Sequence, residues 1–180
     1  MLQGLLVTLR PMERTDLQRM WEFAQDLELG LLTGADGRPT SHAAVERIYE
    51  EKWTGRDADA VRWAIDAHGI VVGGVELAPI HWRSRSAELA VWIGDPVSRR
   101  RGFGLDAMHL ALAYAFRTLG LHRVSYLIPD ANQAALAAYL RAGFHEEGKL
   151  RQASYRDGRY HDLMVLGILL SGLSLLAAVA

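Results

Sequence analysis

The stretch of sequence that decides the fold is Trp92-Ile93-Gly94-Asp95-Pro96-Val97-Ser98-Arg99-Arg100-Arg101-Gly102-Phe103-Gly104. It follows an alternating segment, 86–93, which predicts a strand, and Gly94-Asp95-Pro96 ends that strand. An apolar periodicity of helical spacing then runs over 105–119, with Gly120 as its C-cap. The stretch therefore joins a strand to a long helix through a basic loop that ends in glycine.

The loop 99–104 has the features of an anion-binding site. Backbone amides at a helix N-terminus have no partner within the helix, and the helix dipole adds positive potential there. Gly102 and Gly104 let the backbone approach phosphate oxygens, and the arginines at 99–101 supply forked donors. The third glycine of a dinucleotide fingerprint and the Gly-Lys-Ser/Thr of a P-loop are absent. A basic surface loop before a helix would have the same features, so the hexapeptide alone does not identify a ligand.

The segments on either side of this unit alternate between strand and helix patterns. Strands are predicted over 5–9 (an edge strand), 61–66, 70–77, 86–93, 124–128, 144–148 and 162–170. Helices are predicted over 17–24, 43–52, 105–119 and 133–141, with a glycine-rich loop over 30–41. Gly73-Gly74 favours a bulge in its strand. This order predicts an α+β fold, a mixed α/β sandwich that starts with an antiparallel meander.

Length, charge and cysteine content exclude several classes of protein. The 180 residues suit one domain, which we place at 1–180 with a core over about 7–170. A formal net charge of −1 does not favour a nucleic-acid partner. The absence of cysteine excludes a disulfide framework, a thiolate zinc site and a cysteine nucleophile. We predict a cytoplasmic protein without a signal peptide or a membrane span.

The C-terminal segment 163–180 carries no charge and is as long as the shortest membrane spans. Gly167 and Ser171-Gly172 interrupt it, and the preceding pattern needs a closing strand. We therefore predict a strand over 162–170 followed by an apolar tail over 171–180. Such a tail favours contact with a second copy of the chain, so we predict a homodimer.

The seven histidines are dispersed and do not form a metal-binding pattern. None belongs to a His-x-x-x-His pair, which places two ligands on one helix face. A Gly-x-Ser-x-Gly elbow, which would indicate a hydrolase, is also absent. We predict no metal site.

Two segments resemble the conserved motifs of the GCN5-related N-acetyltransferase (GNAT) superfamily. The stretch 92–104 resembles motif A, in which a strand leads through Gln/Arg-x-x-Gly-x-Gly/Ala into a long helix. Residues 129–148 resemble motif B, with Asn132, Tyr139 and Gly143-Phe144 in order. The start of the chain and the segment 151–162 are similar to the RimJ/RimL-type ribosomal-protein-alanine acetyltransferases, and the resemblance covers about residues 7–170.

The resemblance implies a fold and an activity. The sheet would be mostly antiparallel and twisted, splayed at the strand before the coenzyme A loop, and flanked by about four helices. The co-substrate would be acetyl-CoA, and a primary amine would attack its thioester directly. The acceptor would be a protein N-terminus or a small-molecule amine. The implied cofactor-binding residues are Trp92, Ile93, Arg99, Arg100, Arg101, Gly102, Phe103, Gly104, Asn132 and Tyr139.

The same resemblance suggests catalytic roles. Tyr139 would donate a proton to the leaving thiolate, and Glu88 would accept the amine proton if burial raises its pKa. Glu76 is the reserve candidate for the base, and its face depends on the bulge at Gly73-Gly74. Asn132 would contact the pantetheine arm.

Structural interpretations of the same residues stay open. Tyr139 is equally compatible with a core aromatic whose hydroxyl binds backbone, and Asn132 with a helix N-cap. Glu88 would then be an exposed strand residue paired with Arg83 or Arg85. The alternative function is a non-catalytic acyl-CoA-binding sensor or scaffold, and a third is nucleotide binding through the same loop.

Overall fold

The computed structural model describes residues 1–33, 39–55, 57–156 and 158–175. The strands are β1 Leu2–Gln3, β2 Thr8–Arg10, β3 Val61–Ala67, β4 Ile70–His81, β5 Ser86–Ile93, β6 Arg123–Pro129, β7 His145–Arg156 and β8 Arg159–Leu169. The α-helices are α1 Leu17–Ala24, α2 Leu27–Thr33, α3 His42–Ile48, α4 Phe103–Ala113 and α5 Gln133–Arg141. Helical turns of π type, Tyr49–Trp53 and Tyr114–Thr118, extend α3 and α4.

The strands form one sheet in the order β1-β2-β3-β4-β5-β6-β8-β7. Neighbouring strands are antiparallel except β5 and β6, which are parallel. This parallel pair is short, because only 86–88 on β5 pairs with 123–125 on β6. Beyond Glu88 the two strands separate. The α+β class and the splay at the strand before the loop are confirmed.

Two apolar clusters cover opposite faces of the sheet. Ile65 of β3 is packed in the larger cluster with Met108 and Leu112 of α4. Its neighbour Ala64 is packed in the smaller cluster with Phe23 of α1. Because successive strand residues point to opposite faces, the two clusters lie on either side of the sheet. Helix α4 therefore covers one face and α1 the other.

The predicted irregularity in β4 is present one residue earlier than expected. Ile65 pairs with Gly73, but Asp66 pairs with Val71, so Val72 is the extra residue. The glycines serve a different purpose, which is close approach: a Cβ on Gly73 would lie 2.1 Å from the carbonyl oxygen of Trp92. A Cβ on Gly74 would lie 2.5 Å from the Trp92 ring. This shift in register also sets which β3 residues pair with β4 on either side of the bulge.

Several predicted boundaries are wrong. Helix α2, Leu27–Thr33, extends into the predicted loop 30–41 and brings the α-helices described to five rather than four. The predicted edge strand 5–9 is instead β2, Thr8–Arg10, with β1 outside it. Strands β4 and β7 are both longer than predicted, and α4 begins at Phe103.

Parts of two predictions lie outside the described residues, namely 34–38 of the loop and 176–180 of the tail. The preceding residues Leu170–Leu175 form a 3₁₀ turn after β8. No helix within the described ranges is long and apolar enough to cross a membrane.

Candidate active site

The splay between β5 and β6 leaves β5 backbone groups available to other partners. Leu89 follows the last paired residue of β5, and its carbonyl accepts a hydrogen bond from the Tyr139 hydroxyl at 2.6 Å. Tyr139 therefore reaches from α5 to the strand that precedes the basic loop. The resemblance implied that this backbone would be free of strand pairing, and the register agrees.

The basic loop leads into α4 with two residues in the left-handed region. Arg100 has φ +60° and Gly102, the N-cap of α4, has φ +87°. The first backbone bond into the helix runs from the amide of Asp106 to the carbonyl of Gly102, at 3.0 Å. The amides of residues 103–105 precede that bond and point out of the helix end. This is the arrangement that binds phosphate at helix N-termini.

Some side chains of the loop are exposed to solvent and others are buried against the sheet. Arg100 and Arg101 are exposed, and the Arg101 guanidinium lies 5.4 Å from the ring centre of Phe103. The Phe103 ring is buried in the larger cluster and anchors the start of α4. Gly104 faces β5, because a Cβ there would be 3.7 Å from Ile93 Cγ1. The loop thus offers backbone amides and two exposed guanidinium groups, which fits a pyrophosphate.

The side chains of two predicted cofactor-binding residues, Arg99 and Trp92, have partners within the chain. The Arg99 guanidinium donates to the carbonyls of Ile93 and Gly94, each at 3.1 Å, and pairs with Asp26. This pairing lowers the pKa of Asp26. Arg99 therefore braces the loop against β5, and its contact with the cofactor stays a prediction. The Trp92 ring packs against the smaller cluster with its centre 6.1 Å from that of the Phe23 ring, and its contact with the cofactor stays a prediction.

Tyr139 is the most buried of the predicted catalytic residues. Its ring stacks on Tyr126 at 5.4 Å and meets Phe144 edge-on at 5.0 Å. Burial raises the pKa of the Tyr139 phenol well above 10, and the neighbouring Tyr126 adds to this effect. The hydroxyl is therefore protonated at neutral pH. The hydroxyl therefore has a proton to donate, as a catalytic acid requires. Its hydrogen bond to the Leu89 carbonyl is also the backbone contact that the structural interpretation predicted.

Asn132 is the N-cap of α5. Its side-chain oxygen accepts a hydrogen bond from the amide of Ala135 at 3.1 Å. The capping interpretation is confirmed. The predicted contact with the pantetheine arm stays a prediction.

A cavity of about 530 Å³ lies on the α1 face of the sheet beside the splay. Its walls come from the segment before β3 and from β3, β4, β5 and β6. The Arg62 guanidinium donates to Glu76 at 2.6 Å and to Asp57 at 3.3 Å. Asp59 accepts from the Trp82 indole at 2.9 Å. The lining residues are Asp57, Asp59, Arg62, Glu76, Ala78, Pro79, Ala90 and Tyr126.

The two candidate bases differ in their surroundings. Glu88 is the last β5 residue that pairs with β6, and its side chain is exposed. Within the described residues it has no ion pair, and Arg85, its predicted partner, instead donates to the Gly120 carbonyl at 2.7 Å. The burial that was expected to raise the Glu88 pKa is not present. Glu76 is held by Arg62, which leaves Glu88 as the freer carboxylate.

Two components of the site were missed from the sequence. Tyr126 lies between the cavity and Tyr139, and its only signal was an aromatic position on the strand that follows α4. Asp57 and Asp59 precede β3 in a segment without a helix or strand pattern, so no signal in the sequence indicates them. Among the described residues, no group of three or more His, Cys, Asp or Glu side chains is placed to hold a metal ion.

The sequence profile of the acetyltransferase (GNAT) domain family matches residues 7–145. The chain therefore belongs to the GNAT family, and the superfamily inferred from motifs A and B is confirmed. It is an N-acetyltransferase with acetyl-CoA as its co-substrate. This agrees with the enzyme interpretation over that of a non-catalytic sensor.

Named relatives in this family include spermidine N(1)-acetyltransferases and a putative ribosomal N-acetyltransferase of Bacillus subtilis. The spermidine N(1)-acetyltransferase of Vibrio cholerae is 36% identical over 106 residues, which cover 59% of this chain and 61% of that protein. The Escherichia coli K12 enzyme of the same name is 26% identical over 156 residues, covering 87% and 82%. A crystal structure of the Vibrio cholerae spermidine N-acetyltransferase with CoA and spermine superposes with a TM-score of 0.84. That structure is 28% identical and covers 93% of this chain and 97% of its own.

Proposed function

We propose that the chain transfers the acetyl group of acetyl-CoA to a primary amine of a small polycation of the spermidine class. The observation that carries this proposal is the acidic cavity beside the splay. Among the described residues that line it, the carboxylates of Asp57, Asp59 and Glu76 stand against one guanidinium, that of Arg62. The described part of the lining therefore keeps a net negative charge after its ion pairs are counted, which favours a ligand with several positive charges.

The similarity to the spermidine acetyltransferases supports the same acceptor class. A protein N-terminus, which the RimJ/RimL-type resemblance favours, brings one ammonium group and leaves a second carboxylate without a partner. We therefore use an N-terminal alanine peptide as the comparator. The cytoplasmic location, the single domain and the homodimer stay predictions.

Each part of the site has a distinct task in the proposed reaction. The amides at the start of α4, with Arg100 and Arg101, hold the pyrophosphate of acetyl-CoA. Carboxylates of the cavity bind the distal ammonium groups of the acceptor. Glu88 receives the proton that the attacking amine loses, and Tyr139 donates a proton to the departing thiolate. The amine nitrogen forms the amide bond as the thioester bond breaks, so no covalent enzyme intermediate is needed.

An amine panel tests the acceptor class. With acetyl-CoA present, thiol release should be fastest with spermidine and spermine, slower with the alanine peptide, and slowest with propylamine. Asp59→Asn should raise the KM for spermidine roughly 3–10-fold, since one exposed charge contact is lost, and leave that for propylamine nearly unchanged. Glu146→Gln, an exposed carboxylate on the edge strand β7, is the matched control. Equal kcat/KM for spermidine and propylamine would contradict the proposal.

The base assignment predicts a change in pH dependence. Glu88→Gln should lower kcat/KM at neutral pH by at least about tenfold, within the range of general-base effects. In the native enzyme Glu88 takes the proton from the amine, so activity should already be high at neutral pH. In the variant only the already neutral amine reacts, so activity should rise until the amine's own pKa, near 10. An unchanged pH profile would transfer the base role to Glu76 or to water.

A further inference from the structure

Tyr126 occupies the point where β5 and β6 separate. The preceding residue, Ser125, is the last of β6 to pair with β5, and its partner is Glu88. Tyr126 is therefore the first β6 residue inside the splay. It also lines the acidic cavity together with Glu76 and Ala90. One side chain thus borders both the acceptor cavity and the opening between the strands.

The Tyr126 ring also contacts the predicted acid. It stacks on Tyr139 with ring centres 5.4 Å apart and ring planes at 11°. The Tyr139 hydroxyl is directed at the Leu89 carbonyl on β5. The two tyrosines therefore form a pair, in which Tyr139 reaches β5, the strand before the basic loop, and Tyr126 borders the acidic cavity.

Charged groups approach Tyr126 from several elements. Burial is the main cause of its raised pKa, and Glu88 of β5 and Glu76 of β4 raise it further. Arg156 of β7 acts in the opposite direction, and its Nε donates to Ser154 at 3.0 Å. The phenol is consequently protonated at neutral pH. A protonated hydroxyl can accept one hydrogen bond and donate another at the same time.

We propose that the Tyr126 hydroxyl relays the proton of the attacking amine to Glu88. This inference rests on the proposed function, because it concerns the amine that enters the acidic cavity. An N–H bond of the ammonium breaks and an O–H bond forms on Tyr126, while the original Tyr126 O–H bond breaks and an O–H bond forms on the Glu88 carboxylate. The phenol ends neutral, and the lone pair freed on nitrogen attacks the thioester carbon. The relay explains how an exposed carboxylate at the end of the strand pairing can serve an amine held in the cavity.

Tyr126→Phe tests the relay, because it removes the hydroxyl and keeps the stacked ring. We expect kcat/KM for spermidine at pH 7 to fall roughly 10–100-fold, while the Kd for CoA stays within about twofold. The acid limb of the pH profile should move upward by at least about one pH unit toward the pKa of the free amine, near 10. A merely structural role for the hydroxyl would not move that limb. Tyr114→Phe, a half-buried tyrosine packed on Trp63 at 5.1 Å, is the matched control and should leave the profile unchanged.

The double variant Tyr126→Phe with Glu88→Gln gives the decisive comparison. If both residues lie on one proton path, loss of either one already blocks that path. The double variant should therefore be no slower than Glu88→Gln alone. A wild-type pH profile for Tyr126→Phe, or losses that multiply in the double variant, would overturn the relay. The comparison is made with whichever amine the native enzyme acetylates best. Preference for a monoamine would therefore overturn the acceptor class and still test Tyr126.

Discussion

Replacing Tyr139 with phenylalanine should lower kcat at least about 10²-fold and leave the KM for acetyl-CoA within about twofold. The reason is the protonation state of the phenol. Burial raises the pKa of Tyr139 well above 10, so the hydroxyl keeps its proton throughout the neutral range. We expect this proton to be donated to the thiolate as the thioester breaks. Phenylalanine keeps the stack with Tyr126 and the edge contact with Phe144 but has no proton to give.

The substitution should also lower the stability of the fold, and this loss has to be separated from the loss of catalysis. The hydroxyl donates to the Leu89 carbonyl at 2.6 Å, and loss of a buried hydrogen bond costs about 1–3 kcal/mol of stability. The thermal midpoint should therefore fall as well. The discriminating measurement is kcat with an acetyl thioester of a more acidic thiol, which leaves without help from an acid. The native-to-variant ratio should shrink with that donor, and a ratio that stays the same would assign Tyr139 a structural role only.

Segments with local signals were predicted well. β5 and α5 have the predicted bounds, 86–93 and 133–141, because strict alternation and a capped helix are properties of neighbouring residues. β4 was predicted to end at Leu77, where its register with β5 slips between Leu77 and Ile80. Alternation fails at such a slip, so the pattern ends although the strand continues. The prediction for β7 ended too early for the same reason, because the register of β7 with β8 slips between Leu150 and Ser154.

Elements held by distant residues were not predictable. β1 precedes a turn over 4–7 in which the Leu6 and Val7 amides donate to the Asp106 carboxylate, at 2.7 and 3.0 Å. That partner lies about a hundred residues along the chain, and no local pattern indicates it. Helix α2 contains Gly30, whose low helix propensity favoured a loop. Tertiary contacts decide such segments.

The two halves of the site differ in how far the sequence reveals them. The proposed cofactor side is one contiguous loop, so its motif is visible in the sequence. The motif does not show that the Arg99 side chain bonds within the chain, to Ile93 and Asp26. The acceptor side is assembled from several strands. Alternation can place Glu76 on a face, but it cannot show that Asp59 and Tyr126 share a cavity with it. Such side chains are brought together only by the sheet order and register.

The second large effect is expected on acetyl-CoA binding. Gly102→Ala should raise the KM for acetyl-CoA by at least roughly tenfold, because the amides that hold the pyrophosphate depend on the left-handed conformation of Gly102. At φ +87° a side chain costs about 1–2 kcal/mol, and the loop can escape this strain by rotating those amides away. The added Cβ would meet only Leu6 Cδ1, at 3.1 Å, which is a movable side chain. The effect should therefore come from the backbone of the loop and not from a clash.

Gly69→Ala separates loss of the phosphate site from general strain. Gly69 has φ +83°, nearly that of Gly102, and a Cβ there would meet nothing within 4 Å. The two variants should lose similar stability on heating, yet only Gly102→Ala should weaken acetyl-CoA, by isothermal titration as well as by KM. Equal KM values for the two variants would contradict a pyrophosphate site at this loop. Because both substitutions impose the same strain, a difference between them reports the function of the loop at the start of α4.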